Sequence, residues 1–216
     1  HGCKYPCYAW MMAHSHGRVG TYAEWCRPAL VANAETLLLN ELERMKTRPG
    51  NIHLCLTTDP FMYGYPEVTS LTLHLIELIN SYGIGCSTLT KGVMPVELAD
   101  PIKFPEQNSY GISLVSLSEE FRRKWEPGAA PYSERIGALR ELHDLGCSTL
   151  VHIEPYPTPN IIEQDLHKLL DAVDFADEIW LGSWNYNNLA KQYPGYKEFY
   201  EEQSAILNRF LTSRGR

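Results

Sequence analysis

The chain alternates between short apolar segments and longer segments with helical periodicity. Five segments are typical of strands, at residues 52–58, 85–89, 110–117, 149–153 and 179–182. Alternation of this kind predicts a parallel sheet whose strands are joined by crossover helices. The strands are apolar, as expected for strands buried on both faces. A complete or partial barrel and an open doubly wound sheet both fit, and in either one ligands bind at the C-terminal ends of the strands.

Apolar residues spaced by three and four predict the helices between these strands. One helix is expected from Pro28, with an apolar stripe that includes Leu30, Leu37, Leu42 and Met45. Others are expected at about 66–82, 131–145 and 162–173, and a last one over residues 199–211. A short helix is also expected near residues 96–98.

Composition restricts the class of protein. The 216 residues suit one domain, and 44% hydrophobic content is enough for a full core. A net charge of −7 argues against broad binding to a nucleic-acid backbone. No apolar run approaches a membrane span, and the six cysteines do not form a dense disulfide framework. Cys55, Cys86 and Cys147 are expected to be small buried hydrophobes. We expect no membrane partner and a reducing cytoplasmic location.

Two cysteines stand four residues apart at the start of the chain, in Gly2-Cys3-Lys4-Tyr5-Pro6-Cys7. This spacing lets two thiolates turn toward one point, which suits a metal ion or an iron–sulfur cluster. On the pair alone, a structural zinc loop or two unrelated buried thiols fit equally well. Two cysteines complete neither kind of site.

Polar residues follow every predicted strand. They are Thr57-Thr58-Asp59, Thr90-Lys91, Ser113 to Ser118, His152 with Glu154, and Ser183 with Asn185. Because the ends of parallel strands meet at one edge of the sheet, we expect these groups to line one ligand site. Asp59 could hold an ammonium and Lys91 a carboxylate, so the set suits a zwitterion.

Five segments, in order, resemble a known family. They are His1-Gly2-Cys3-Lys4-Tyr5-Pro6-Cys7-Tyr8-Ala9, Thr58-Asp59-Pro60-Phe61 with Glu67, Thr90-Lys91-Gly92, Ser116-Leu117 with Trp125-Glu126-Pro127-Gly128 and Arg135, and Pro155-Tyr156-Pro157 with Asn185-Tyr186-Asn187. Across almost its whole length the chain resembles the radical S-adenosylmethionine enzymes, and among them the spore photoproduct lyase-like family. The resemblance implies an α/β fold, a partial (β/α)6 TIM-type barrel of parallel strands. Residues 1–216 would form a single, N-terminally incomplete core domain whose first strand lies before His1.

The resemblance also implies a cofactor set. A [4Fe–4S] cluster would be held by three thiolates, with Cys3 and Cys7 as metal ligands. The family's first cysteine would lie four residues before Cys3, outside the chain. Between Cys3 and Cys7 stand three residues where the family has two. The cluster and S-adenosylmethionine together would generate a 5′-deoxyadenosyl radical.

Roles for further residues follow from the same resemblance. Tyr5 would lie near the adenine of S-adenosylmethionine, Thr58 and Asp59 near its ammonium, and Lys91 at its carboxylate. Ser113 or Ser116 would contact the carboxylate or the ribose. Glu126 and Arg135 would form a buried ion pair under the site or act directly in catalysis.

The resemblance implies an electron donor such as flavodoxin or ferredoxin, and it includes a nucleic-acid lesion among the candidate substrates. The net charge gives no indication of nucleic acid. Where the lyase has a cysteine that returns hydrogen to the product radical, this chain has Thr57. We therefore expect an enzyme that is not an authentic spore photoproduct lyase. Its substrate and its catalytic residues are not assigned.

Two alternatives explain part of the pattern. An aldolase-like barrel with a Schiff base on Lys91 would explain the lysine but not the cysteine loop. A non-catalytic zinc-binding interaction protein, with Cys3, Cys7, Cys26 and His14 as ligands, would explain the thiols but not the strand-end residues.

Overall fold

A computed structural model describes residues 2–54 and 57–215. Its strands form one sheet in which every neighbouring pair is parallel. They are β1 (Asn51–Leu54), β2 (Gly85–Thr90), β3 (Ser109–Ser113), β4 (Ser148–Tyr156) and β5 (Glu178–Ser183). Their order in space is their order in sequence. A doubly wound sheet would reverse its order at a switch point, so this order is that of a partial barrel and confirms the predicted α/β fold class.

The helices formed by the described residues lie before, between and after these strands. They are α1 (Tyr8–Ser15), α2 (Tyr22–Trp25), α3 (Ala34–Arg44), α4 (Pro66–Ser81), α5 (Glu119–Trp125), α6 (Tyr132–Asp144), α7 (Leu166–Ala172), α8 (Asn188–Lys191) and α9 (Tyr196–Ser213). A 3-10 turn (Val96–Ala99) follows β2. No helix in residues 2–54 or 57–215 is long and apolar enough to cross a bilayer.

The two faces of the sheet differ in what covers them. Tyr110, Ile112, Val151 and Ile153 are at most 1% exposed, and they pack with apolar residues of α4, α6 and α7 in one core. Side chains of a strand alternate between faces, so the residues between these point the other way. On that opposite face, Leu89 of β2 and Leu150 and His152 of β4 are only half-buried. One face of the sheet therefore forms the core, and the other lines an open interior.

The outer edge of β1 is unpaired within the described part of the chain, and β1 and β5 are the two ends of the sheet. The expected first strand before His1 would pair at this edge. That strand stays a prediction.

The helix expected from Pro28 begins later than predicted. Residues 28–33 are not helical, and α3 starts at Ala34. Of the predicted stripe, Leu42 is buried, whereas Leu30, Leu37 and Met45 are exposed. The predicted stripe is only partly right: α3 packs on α4, but this contact leaves much of the apolar face of the helix exposed.

Strand ends also differ from the prediction. The predicted strand at 52–58 is described only as far as Leu54, and Cys55 lies outside the described residues. β3 ends at Ser113, and the segment to Leu117 is irregular. β4 runs past the predicted end at Glu154-Pro155, through a cis peptide bond, to Tyr156. Cys86 is fully buried, as expected, and Cys147 is half-buried against the core.

Gly92 lies where the end of β2 closely approaches the segment after β1, and a substitution there tests this close approach. A Cβ at this position would lie 1.7 Å from the carbonyl oxygen of Phe61, which belongs to the backbone and cannot move aside cheaply. We expect Gly92→Ala to lower the free energy of unfolding by about 1–3 kcal/mol or more in urea denaturation.

Gly137→Ala is the matched control. Gly137 lies in α6, and a Cβ there meets nothing within 4 Å. Because alanine favours helix over glycine, this variant should gain up to about 1 kcal/mol. Equal stability of the two variants would contradict the close approach at Gly92.

Candidate functional site

The cysteine loop, residues 2–7, is tied to the segment that ends α5. The Lys4 amide donates to the carbonyl oxygen of Trp125 at 2.8 Å, and the Tyr5 hydroxyl donates to Glu126 Oε1 at 2.8 Å. On the other side, the Tyr22 hydroxyl of α2 donates to the carbonyl oxygen of Gly2. Contacts from two elements therefore fix the path of the loop.

Aromatic rings hold Tyr5 in place. Its ring stacks on Trp125 with centroids 6.0 Å apart and meets the edge of Trp184 at 5.0 Å. Trp184 follows β5 and is itself buried. The ring that sequence comparison places near an adenine is thus buried in an aromatic cluster, and its contact with adenine stays a prediction.

The two thiols of the loop differ in environment. Cys3 is buried, and burial raises the pKa of its thiol to about 11, with Lys91 opposing the rise. Cys7 is half-buried and directly precedes α1, without a side-chain capping hydrogen bond. Cys26 lies close by, since a Cβ built on Gly2 would stand 3.6 Å from its Sγ. Within residues 2–54 and 57–215, no three His, Cys, Asp or Glu side chains form a metal-binding group.

A buried ion pair lies beneath the loop. Glu126 and Arg135 are both inaccessible to solvent, and Arg135 Nη2 lies 2.9 Å from Glu126 Oε2. The other guanidinium nitrogens donate to backbone carbonyls of Ala130 and Ser113. Lys91 Nζ lies 3.7 Å from Glu126 Oε1. The predicted ion pair is confirmed, and the predicted carboxylate-binding lysine stands beside it.

Electrostatics keep this carboxylate charged. Burial raises the pKa of Glu126, but the charges of Lys91 and Arg135 and the hydrogen bond from Tyr5 outweigh burial and lower it. The buried group contains one carboxylate and two cations. Next to it, the Tyr132 hydroxyl is buried, and burial and the neighbouring charge of Glu126 raise its pKa.

Asp59 joins the ends of β1 and β2. Its Oδ1 accepts from the Phe61 amide at 3.0 Å and from the Thr90 hydroxyl, and its Oδ2 accepts from the Lys91 amide at 2.8 Å. These contacts are those of a cap across the strand ends, and they place Lys91. The predicted contact of Asp59 with an ammonium stays a prediction.

Only some of the remaining predicted site residues lie at the Arg135–Glu126 group. Thr58 is exposed and, with Thr57 and Asp59, lines a cavity of about 770 Å³ beside β1. Ser113 is buried at the end of β3, next to Arg135. The Ser116 hydroxyl accepts from the Ser118 amide, so it shapes the turn before α5. Lys91 and Ser113 thus share the Arg135–Glu126 group, whereas Thr58 and Ser116 lie outside it.

Sequence reasoning missed the residues that hold the loop. Trp125, Trp184 and Tyr22 were not predicted as site residues. One signal was available for α2, because Thr21 and Glu24 form a capping box, a pattern that marks a helix start. Ser118 likewise caps α5. Nothing in the sequence indicates that Trp184, far along the chain, packs on Tyr5.

Residues 1–173 match the Radical SAM superfamily. The chain belongs to this superfamily. Among curated proteins, it is 24% identical over 118 residues to the uncharacterized protein ORF301 of Acidianus two-tailed virus, covering 54% of this chain and 38% of that protein.

Solved structures of spore photoproduct lyase share the fold. A double mutant with bound AdoMet and dinucleoside spore photoproduct matches with a TM-score of 0.58 and 17% identity, over 89% of this chain and 57% of that one. A complex with dinucleoside spore photoproduct matches with a TM-score of 0.58 and 15% identity, with the same coverage. The chain therefore spans little more than half the length of the structures it resembles.

Glu126→Gln tests the buried ion pair. The change leaves Lys91 and Arg135 without a counter-charge, and we expect a loss of about 3–5 kcal/mol of unfolding free energy. Because the pKa of Glu126 is lowered in the folded state, its contribution is present above the unfolded pKa of about 4.3 and is lost as pH falls. The variant should therefore lose less stability than the parent on acidification.

The exposed pair Lys103–Glu77, with atoms 3.5 Å apart, provides the control. Glu77→Gln should cost no more than about 1 kcal/mol, because solvent screens this pair. Similar losses in Glu126→Gln and Glu77→Gln would contradict the special role of the buried group.

Proposed function

We propose that residues 1–216 form the core domain of a radical S-adenosylmethionine enzyme. The observation that carries the proposal is the buried Glu126–Arg135 pair directly beneath the cysteine loop, with a partly exposed lysine beside it. Arg135 is fully enclosed and lies 2.9 Å from Glu126, whereas Lys91 lies 3.7 Å from Glu126 and retains 17% side-chain exposure. A ligand carboxylate would pair with this lysine.

The chemistry of the side chains fits both cofactors. Cys3 and Cys7 would ligate a [4Fe–4S] cluster, with a third thiolate expected four residues before Cys3. Iron would favour the thiolate form of Cys3, which burial alone opposes. When bound and reduced, this group supplies the electron that cleaves S-adenosylmethionine to methionine and a 5′-deoxyadenosyl radical.

The chain's own residues would bind and shield the cofactors. Lys91 would pair with the methionine carboxylate. Thr58 and Asp59 would face the ammonium, and Ser113 or Ser116 the carboxylate or ribose. Tyr5, Trp125 and Trp184 would exclude water from the cysteine loop.

The reaction is proposed to differ from that of the lyase, and the substrate is not assigned. The solved neighbours bind a dinucleoside spore photoproduct, so a nucleic-acid lesion is one candidate. In this chain, exposed Thr57 stands at the strand end where the resemblance expects a thiol. A hydroxyl cannot donate a hydrogen atom as a thiol does. We therefore propose a reaction other than that of the lyase. A flavodoxin or ferredoxin in the reducing cytoplasm would reduce the cluster.

The Schiff-base alternative is less well supported. An amine nucleophile must lose its proton, which is assisted by an apolar site or a neighbouring cation. Lys91 instead lies 3.7 Å from the buried carboxylate of Glu126, so its immediate neighbour is an anion and not an apolar wall.

Anaerobic reconstitution with iron and sulfide tests the proposal. The full-length protein should bind iron and sulfide and, once reduced, form 5′-deoxyadenosine from S-adenosylmethionine. Cys3→Ala and Cys7→Ala should each abolish 5′-deoxyadenosine formation and lower iron content. Cys147→Ala, at a half-buried thiol packed on the core, should keep both. Stoichiometric zinc without turnover would overturn the proposal in favour of the interaction protein.

Lys91→Ala tests cofactor recognition separately. Losing a charged hydrogen bond should weaken S-adenosylmethionine binding by about 1.5–3 kcal/mol, roughly 10- to 150-fold, with iron content unchanged. Equilibrium dialysis on the reconstituted protein measures both. Lys103→Ala, at an exposed lysine, should leave affinity unchanged. Parental affinity in Lys91→Ala would remove Lys91 from the cofactor site.

A further inference from the structure

The open face of β4 and β5 presents a fixed aromatic surface. Trp180 is 58% exposed, yet its indole nitrogen donates to Glu178 Oε2 at 3.1 Å, which restrains the ring. His152 pairs with Trp180 in the strand register, and the two ring centroids lie 6.1 Å apart. An exposed but restrained indole provides a flat surface for stacking at little entropic cost.

A carboxylate lies beside this surface because residue 182 has no side chain. A Cβ at Gly182 would stand 2.3 Å from Glu154 Cδ, so the Glu154 side chain crosses β5 in the space that glycine leaves. Glu154 Oε2 is 3.9 Å from His152 Nδ1, too far for a hydrogen bond. No hydrogen bond to either ring nitrogen of His152 was found among the described residues. The Glu154 carboxylate, which can accept a hydrogen bond, and the His152 imidazole, which can donate and accept, therefore flank the indole of Trp180.

This surface is continuous with the proposed cofactor site. His152 pairs in register with Ser113, whose carbonyl oxygen accepts from Arg135. Burial lowers the pKa of His152; Glu154 opposes this, and Lys91 and His53 lower it further. The imidazole is therefore within electrostatic reach of Lys91 and neutral at neutral pH.

Charge limits what can bind here. The carboxylates of Glu154 and Glu178 repel phosphate, which disfavours an anionic group at this surface. An uncharged ring with donors and acceptors on its edge matches the indole, the imidazole and the carboxylate together. We infer that the surface formed by His152, Glu154, Trp180 and Gly182 binds an uncharged heteroaromatic ring of the substrate. The assignment of this ring to the substrate rests on the proposed function. The binding of such a ring at this surface is independent of the proposed function.

Saturation-transfer difference NMR with thymidine tests the inference on the full-length protein, without reconstitution. Thymidine should bind, and Trp180→Ala should weaken it roughly five- to 150-fold, the range for losing one base–aromatic stack. Gly182→Ala should also weaken it, because the added Cβ displaces the Glu154 side chain. Ile102→Ala, at a residue 92% exposed elsewhere, should bind as the parent does.

Further ligands separate the alternatives. Thymidine 5′-monophosphate should bind no more tightly than thymidine; tighter binding, or binding of choline in place of thymidine, would overturn the inference. Displacement of thymidine by S-adenosylmethionine would assign the surface to the cofactor's adenine instead of the substrate. Unchanged thymidine affinity in Trp180→Ala would also overturn the inference. Formation of 5′-deoxyadenosine, measured separately, reports on the proposed function alone.

Discussion

The buried carboxylate of Glu126 joins the cysteine loop to the barrel. It accepts from Tyr5 of the loop, pairs with Arg135 of α6 and lies beside Lys91 at the end of β2. Arg135 in turn holds the carbonyl oxygen of Ser113 at the end of β3. A single buried charge thereby positions groups from four separate parts of the chain. Glu126 and Arg135 depend on each other, because removal of either one would leave the other as an uncompensated buried charge.

Parallel topology explains why these groups meet. Every neighbouring pair of strands is parallel, so the C-terminal ends of the strands open at the same edge of the sheet. The alternation of side chains then separates two tasks: residues such as Ile112 and Val151 form the core, while their neighbours face the interior. Stability comes from one face of the sheet, and chemistry is free to vary on the other. Trp180 and His152 belong to that second face.

The sequence was sufficient to predict the parallel sheet, the polar strand ends and the Glu126–Arg135 pair, because these follow from periodicity and from the segments quoted for the resemblance. It could not predict that Asp59 caps the ends of β1 and β2, since that depends on the distance between Asp59 and Thr90 in space. The packing of Trp184 on Tyr5 likewise joins residues at opposite ends of the chain. The exposure of Leu37 was missed because helical spacing shows which face of a helix is apolar, not whether anything covers it.

The charges of the site connect the fold to the proposed ligand. Glu126 lies between two cations that differ in exposure, since Lys91 is partly exposed and Arg135 is fully enclosed. Arg135 makes hydrogen bonds through three of its nitrogens, so its buried charge is fully partnered. A carboxylate ligand at Lys91 would therefore leave the Arg135 pair undisturbed. Binding and folding would then depend on different cations, so Lys91 is free to serve recognition while Arg135 maintains the structure.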